Sequence, residues 1–239
     1  MPYVSERLVQ ADQWKTASNW IARVMLRGLG PFRARRICDE HRPAWTLHAK
    51  WGDRLVFGSV REPCEWLCSY YDHCLTHGLD HVIRQIGAGS TDFAAYVKGA
   101  CEPLDHWPGM APKVEGGRTP AGPLWSYMVR YFYMLPDVDE WAVDVLVDAA
   151  QAREAMTLLG LPSALDRKNV SDPKRVESRE ARMTPALRRR VYKASGDLAG
   201  ELGYTGAFEP ACAPLVRLER YSYHTPPRVL VSVGVQPWH

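Results

Sequence analysis

The stretch DRLVFGSVREPCEWLCSYYDHCLTHG, residues 53–78, constrains the fold most, because its apolar pattern changes period within two residues. DRLVFGSV (53–60) is an apolar run bounded by charge before it and by Arg61 after it, the pattern of a buried strand. From 62 to 78 the pattern becomes helical. Pro63 suits the first turn, Gly78 suits the end, and Trp66, Leu67, Tyr70, Cys74 and Leu75 make one stripe. A strand passing directly into an amphipathic helix belongs to the α/β class with a mainly parallel sheet.

The rest of the chain repeats that grammar. ASNWIARVMLRGLG reads as a short helix with apolar Trp20, Ile21, Val24, Met25 and Leu29, and PLWSYMVRYFYML (123–135) reads as a buried one. Residues 140–161 hold a strand and then a helix closed by Gly160. Thr184 and Pro185 open a further helix as N-cap and first-turn residue. Residues 99–123 are dense in Gly and Pro and read as a long loop, and RVLVSVGV near the end suggests a terminal strand. The 239 residues are read as one domain, 1–239, with a loop insertion at about 99–123 and a C-terminal arm at about 205–239.

A net charge of +3 implies no broad nucleic-acid footprint. No apolar stretch approaches a membrane span, and the N-terminal residues lack a signal peptide's apolar segment, so the expectation is a cytoplasmic protein without a membrane partner. The six cysteines are too sparse for a disulfide scaffold. Cys64, Cys68 and Cys74 lie near His73 and His77, but their spacing inside a helix favours buried thiols over zinc.

Two stretches carry chemistry. In WKTASNWI (14–21), Lys15 precedes the small and hydroxylated residues Thr16, Ala17, Ser18 and Asn19, and an apolar run starts at Trp20. That is how a phosphate-gripping turn at a helix start reads, although the nucleotide loop G-x-x-x-x-G-K-[ST] is absent. The second stretch, VFGSVREPCEWLCSYY (56–71), delivers Arg61 to a strand's C-terminal edge, where open α/β sheets bind ligands. Ser69, two helical turns later, adds a hydroxyl. Two anion grips suit a ligand with phosphate at two positions.

KTASNW and VREPCEWLCSYY together resemble the sulfotransferases that use 3′-phosphoadenosine 5′-phosphosulfate. The first is similar to their 5′-phosphosulfate loop and the second to their 3′-phosphate motif, including the spacing from Arg61 to Ser69. EHRPAW, NVS (169–171) and TPALRRRVYKASGDLAGELGY resemble pieces of the bacterial and glycan-modifying branches. The resemblance implies a P-loop-like three-layer fold, that cofactor with adenosine 3′,5′-bisphosphate as product, and no metal. It also implies cofactor contacts at Lys15, Thr16, Ala17, Ser18, Asn19, Trp20, Arg61 and Ser69, with a small-molecule or glycan hydroxyl as acceptor. Ala17 stands where many members have glycine, a departure that is tolerable if that backbone position has φ below zero. RLVQADQ, before the loop, is more polar than the usual buried first strand.

On this reading Lys15 neutralises charge on the leaving oxygen and a base takes the acceptor proton. His41 is the expected base, its ordinary pKa suiting the role, with His48 and Glu40 as competitors. Arg188, Arg189 and Arg190 are expected on a solvated helix face, and Trp125, Tyr127, Tyr131 and Phe132 in the core. Two other functions compete: a phosphotransferase using a nucleoside triphosphate, and an inactive nucleotide-binding module. Against the former, no apolar strand ending in aspartate stands out. Acceptor identity is expected to reside in loops at 78–123 and in the tail. Oligomeric state is not legible.

Overall fold

The computed structural model describes residues 1–104, 122–135, 140–161 and 178–204, except Asp12, Trp14, Asp39, Glu40, Gly52 and Glu180, together with the backbone of 216–217. The C-terminal arm, most of the 99–123 insertion, Asn169, Ser171 and Glu40 lie outside the described residues. The chain is α/β. Its contacts divide it into two compact units, one formed by Met1–Arg61, Val129–Asn169 and Cys212–His239, the other by Glu62–Met128 and Val170–Ala211.

The first unit holds the sheet, with strands β1 (Tyr3–Val4), β2 (Leu8–Gln10), β3 (Arg35–Arg36), β4 (Leu55–Val60), β5 (Val145–Asp148) and β6 (Val216–Arg217). Their order across the sheet is β3-β1-β2-β4-β5-β6. Among the described strands, only β2–β4 and β4–β5 are parallel. The margins, β1 with β2 and β3 and β6 with β5, are antiparallel, so the sheet is mixed where a mainly parallel one was expected. The marginal strands are two residues long, too short to carry a period that the sequence could show.

The parallel centre is buried on both faces, which is why its strands read as continuous apolar runs. Leu8, Phe57, Val145 and Val147 form one cluster with Trp20, Ile21, Val24 and Met25 of α1 (Ser18–Leu26). Ala152, Ala155 and Met156 of α7 (Ala152–Leu158) join it. Val9, Val56 and Leu146, one residue out of phase, are equally buried. The helix α2 (Ala44–Trp51) packs against β4.

The second unit is helical among its described residues: α3 (Pro63–Thr76), α4 (Asp80–Ile86), α5 (Phe93–Ala100), the first half of α6 (Leu124–Tyr133), and α8 (Pro185–Glu201). Residues 80–100 are therefore mostly helix rather than specificity loop. α3, α5 and α8 each start at a side-chain cap. Glu62 accepts from the Glu65 N–H at 2.6 Å, Asp92 from Ala95 at 2.9 Å, and Thr184 from Leu187 at 3.4 Å. Trp66, Leu67, Tyr70 and Cys74 are buried as the stripe requires, whereas Leu75 is exposed. Cys64, Cys68 and Cys74 are buried free thiols, and burial pushes Cys68 up to about 12. Trp125, Tyr127 and Phe132 are buried as expected, and Tyr131 is half-buried. The arginine run is not uniformly solvated: Arg188 faces Glu62 at 3.6 Å and Arg190 bonds Glu102 at 2.7 Å. No helix among the described residues is long and apolar enough to cross a membrane.

Candidate anion-binding site

Strand β2 stops before its neighbour does. Gln10 pairs with Phe57 of β4, Ala11 donates to the Phe57 carbonyl at 2.8 Å, and the chain then leaves the ladder. β4 runs on to Val60, so Ser59 presents an N–H and a C=O toward the place that β2 has vacated. One hydroxyl fills both: Tyr133 Oη accepts from the Ser59 N–H at 3.1 Å and donates to the Ser59 carbonyl at 2.7 Å. Its ring lies on Gly58, where an added Cβ would come within 2.3 Å of it. Burial raises the Tyr133 pKa well above its usual value, so the phenol stays protonated.

Thr16 settles on this seat. Its hydroxyl donates to the Gln13 carbonyl at 2.9 Å and lies 2.8 Å from Ser59 Oγ. Because Thr16 has given away its only proton, Ser59 is the donor between them. Thr16 is fully buried, so its side chain anchors the loop, and only its backbone N–H remains for a ligand. The backbone around it is left-handed, with φ 65° at Lys15 and 63° at Ala17. The condition of a negative φ at Ala17 is therefore not met: the alanine occupies a glycine-type conformation at a cost of about 1–2 kcal/mol. Such strain concentrates where a turn is held for function.

Ala17 is also the N-cap of α1, and it provides no capping side chain. The first N–H groups of α1, starting at Ser18, have no intrahelical acceptor and carry the positive end of the helix dipole. Lys15 and Ser18 are half-buried and Asn19 is exposed beside them. Trp20 is packed in the core under α1, so it holds the helix rather than facing the turn. Behind the loop, the side-chain amides of Gln10 and Gln13 are fully buried and have no hydrogen-bond partner. Such groups call for a water or a ligand atom. The RLVQADQ segment thus contains the buried strand β2, with Gln10 buried at its end and Gln13 buried beyond it.

Strand directions bring other residues to the same edge. β1 runs antiparallel to both β2 and β3, so that Tyr3 lies beside both Gln10 and Arg36, and Ile37 donates to the Pro2 carbonyl. Met1 and Ile37 therefore sit at the edge where β2 ends. His41 is there: Nδ1 lies 3.2 Å from the Met1 amine, and its ring meets Phe132 edge-on at 6.4 Å between centroids. Burial, and secondarily the amine's charge, lower the His41 pKa to about 3, which corrects the expectation of an ordinary imidazole. His48 lies on α2, its buried Nε2 without a partner. Arg61 is half-buried and follows Val60, two residues beyond Ser59. Ser69 is buried on α3, in the second unit.

Asp148 escaped the sequence reading. β5, Val145–Asp148, is an apolar strand ending in aspartate, placed opposite Val60 in the register. The VLVD run itself was the missed signal. Its carboxylate accepts from the Ala150 N–H at 2.5 Å and is buried.

Comparison with family models, with curated proteins and with solved structures gives no match for this chain.

Proposed function

We propose that the chain is a sulfotransferase that moves a sulfuryl group from 3′-phosphoadenosine 5′-phosphosulfate to a hydroxyl of a small molecule or glycan, within a P-loop-like fold. The observation that carries this reading is the uncapped start of α1, held in a left-handed turn beside Lys15 where β2 ends. Backbone N–H groups and a lysine in that arrangement suit a phosphosulfate. The bound cofactor would supply the activated sulfuryl group and a phosphate leaving group. Lys15 balances charge on the leaving oxygen, and the N–H groups from Thr16 to Asn19 hold the 5′ end. The family pattern gives the 3′-phosphate to Arg61 with Ser69. His41, neutral across the physiological range, takes the acceptor proton.

Calorimetry with adenosine 3′,5′-bisphosphate tests the reading. Charge-assisted contacts are worth roughly 1.5–3 kcal/mol, so Arg61→Ala is expected to weaken binding by about 10- to 150-fold. Unchanged affinity in that variant removes the assignment. Asp148 favours one second reading, a phosphotransferase in which this carboxylate helps to hold magnesium. Turnover abolished by a chelator and restored by magnesium supports that reading instead. An inactive module would bind the bisphosphate and never consume the cofactor.

A further inference from the structure

At the opposite end of the first unit's sheet, where β2 and β4 begin, α1 runs into a compact loop. Ala34 donates to the Met25 carbonyl at 3.1 Å and closes residues 26–33 into a projection. Phe32 lies against the Arg7 guanidinium, 5.5 Å from ring centroid to carbon, just before β2. The tip of this projection is apolar: Leu29 is 83% exposed and Leu26 is 46% exposed. A single exposed leucine is ordinary, but here two flank Arg27, with Arg33 and Arg35 following, all exposed. Arg7 and Arg54 lie at the same end, opposed by Glu6 and by Asp53, which stands 3.7 Å from Arg54. Segment 22–38 has no acidic residue. Of its five arginines, Arg36 reaches Met1 Sδ at 3.4 Å toward the other end of the sheet and Arg23 is half-buried on α1, which leaves Arg27, Arg33 and Arg35 around the projection.

We propose that this end of the first unit docks on the anionic headgroups of a lipid bilayer, with Leu29 entering the interface. Arginines around a projecting aliphatic match such a surface in both respects. The guanidinium groups meet the headgroup charge while their stems and the leucine reach the apolar boundary. A nucleic acid or a sulfated glycan would satisfy the charge but offer nothing to Leu29. The candidate anion site lies at the other end of α1, about 13 Å away for a nine-residue helix, and so faces away from the membrane. The sequence expectation of no membrane partner rested on the absence of a span and carried no information on these exposures.

The test is co-sedimentation of the full chain with phosphatidylcholine vesicles, with and without phosphatidylserine. Retention is expected on the acidic vesicles, at least about tenfold weaker on neutral ones, and reversed by salt. Arg33→Gln with Arg35→Gln should weaken it about 25-fold, about fivefold for each charge near the surface. Leu29→Ser should weaken it about five- to tenfold while leaving the salt dependence unchanged. These positions are exposed, so the thermal melts should coincide with the parent's. Absence of retention, equal retention on neutral vesicles, or a Leu29→Ser variant that binds like the parent overturns the proposal. The last outcome would mark a polyanion site instead. Affinity for adenosine 3′,5′-bisphosphate is independent of every one of these results.

Discussion

Replacing Tyr133 by phenylalanine removes one oxygen and leaves two backbone groups without partners. The Ser59 N–H and C=O face the vacated position of β2, and Ser59 is 1% exposed. An orphaned buried donor or acceptor costs about 1–3 kcal/mol. Two such groups bring the expected loss to about 2–4 kcal/mol once partial hydration is allowed. For a chain of this size that is a fall in Tm of about 4–16 °C. Urea unfolding followed by tryptophan fluorescence gives the free energy directly. The same geometry predicts coupling to Gly58. Gly58→Ala should be severely destabilising because its Cβ would enter the Tyr133 ring, but much less so in a Tyr133→Ala background. A Tyr133→Phe loss below about 1 kcal/mol, or additive effects of Gly58→Ala and Tyr133→Ala, refutes this account of how β4 is completed.

Ala17→Gly relieves a left-handed alanine and should raise stability by about 0.5–1 kcal/mol after glycine's unfolded-state entropy is subtracted, whereas Ala17→Val should lower it; melting curves decide. His41 has a folded pKa of about 3 against roughly 6.5 when unfolded, so the unfolded chain binds the extra proton between those values. Stability should therefore fall as pH drops from about 6.5 to about 3, a decline that His41→Gln reduces, and turnover should show no histidine limb between pH 5 and 8. For Asp72, burial raises the pKa, but hydrogen bonds from Arg179 at 2.7 Å and Arg182 at 2.8 Å outweigh it and lower the value. Its contribution should be present above about pH 4 and be lost as pH falls through the lowered folded value. Asp72→Asn should then cost about 1–2 kcal/mol at neutral pH and nothing in strong acid, as measured by urea midpoints.

Where one residue pattern decides an element, the sequence is readable. The run before Arg61 becomes β4, Pro63 opens α3, and Thr184 with Pro185 opens α8, because burial period and capping chemistry are local properties. β1 and β3 escape because two residues have no period, and their pairing depends on strands elsewhere. The loop at 15–19 is legible as a helix start, but its left-handed backbone is not, since alanine conceals what glycine would announce. That the Thr16 hydroxyl anchors the loop is not legible, because its partner Ser59 lies 43 residues away. The His41 pKa was beyond reach for a similar reason: burial of a ring is a tertiary fact.

The seat of the anion loop has a consequence for the order in which the molecule matures. Every residue from Lys15 to Arg61 is present once the first quarter of the chain has been made. Yet the hydroxyl that closes the ladder at Ser59 comes from 74 residues further along the sequence. Contacts of that separation must wait for the intervening chain to be gathered in. A nascent chain therefore carries its lysine and its helix start early and acquires a rigid grip only when Tyr133 arrives.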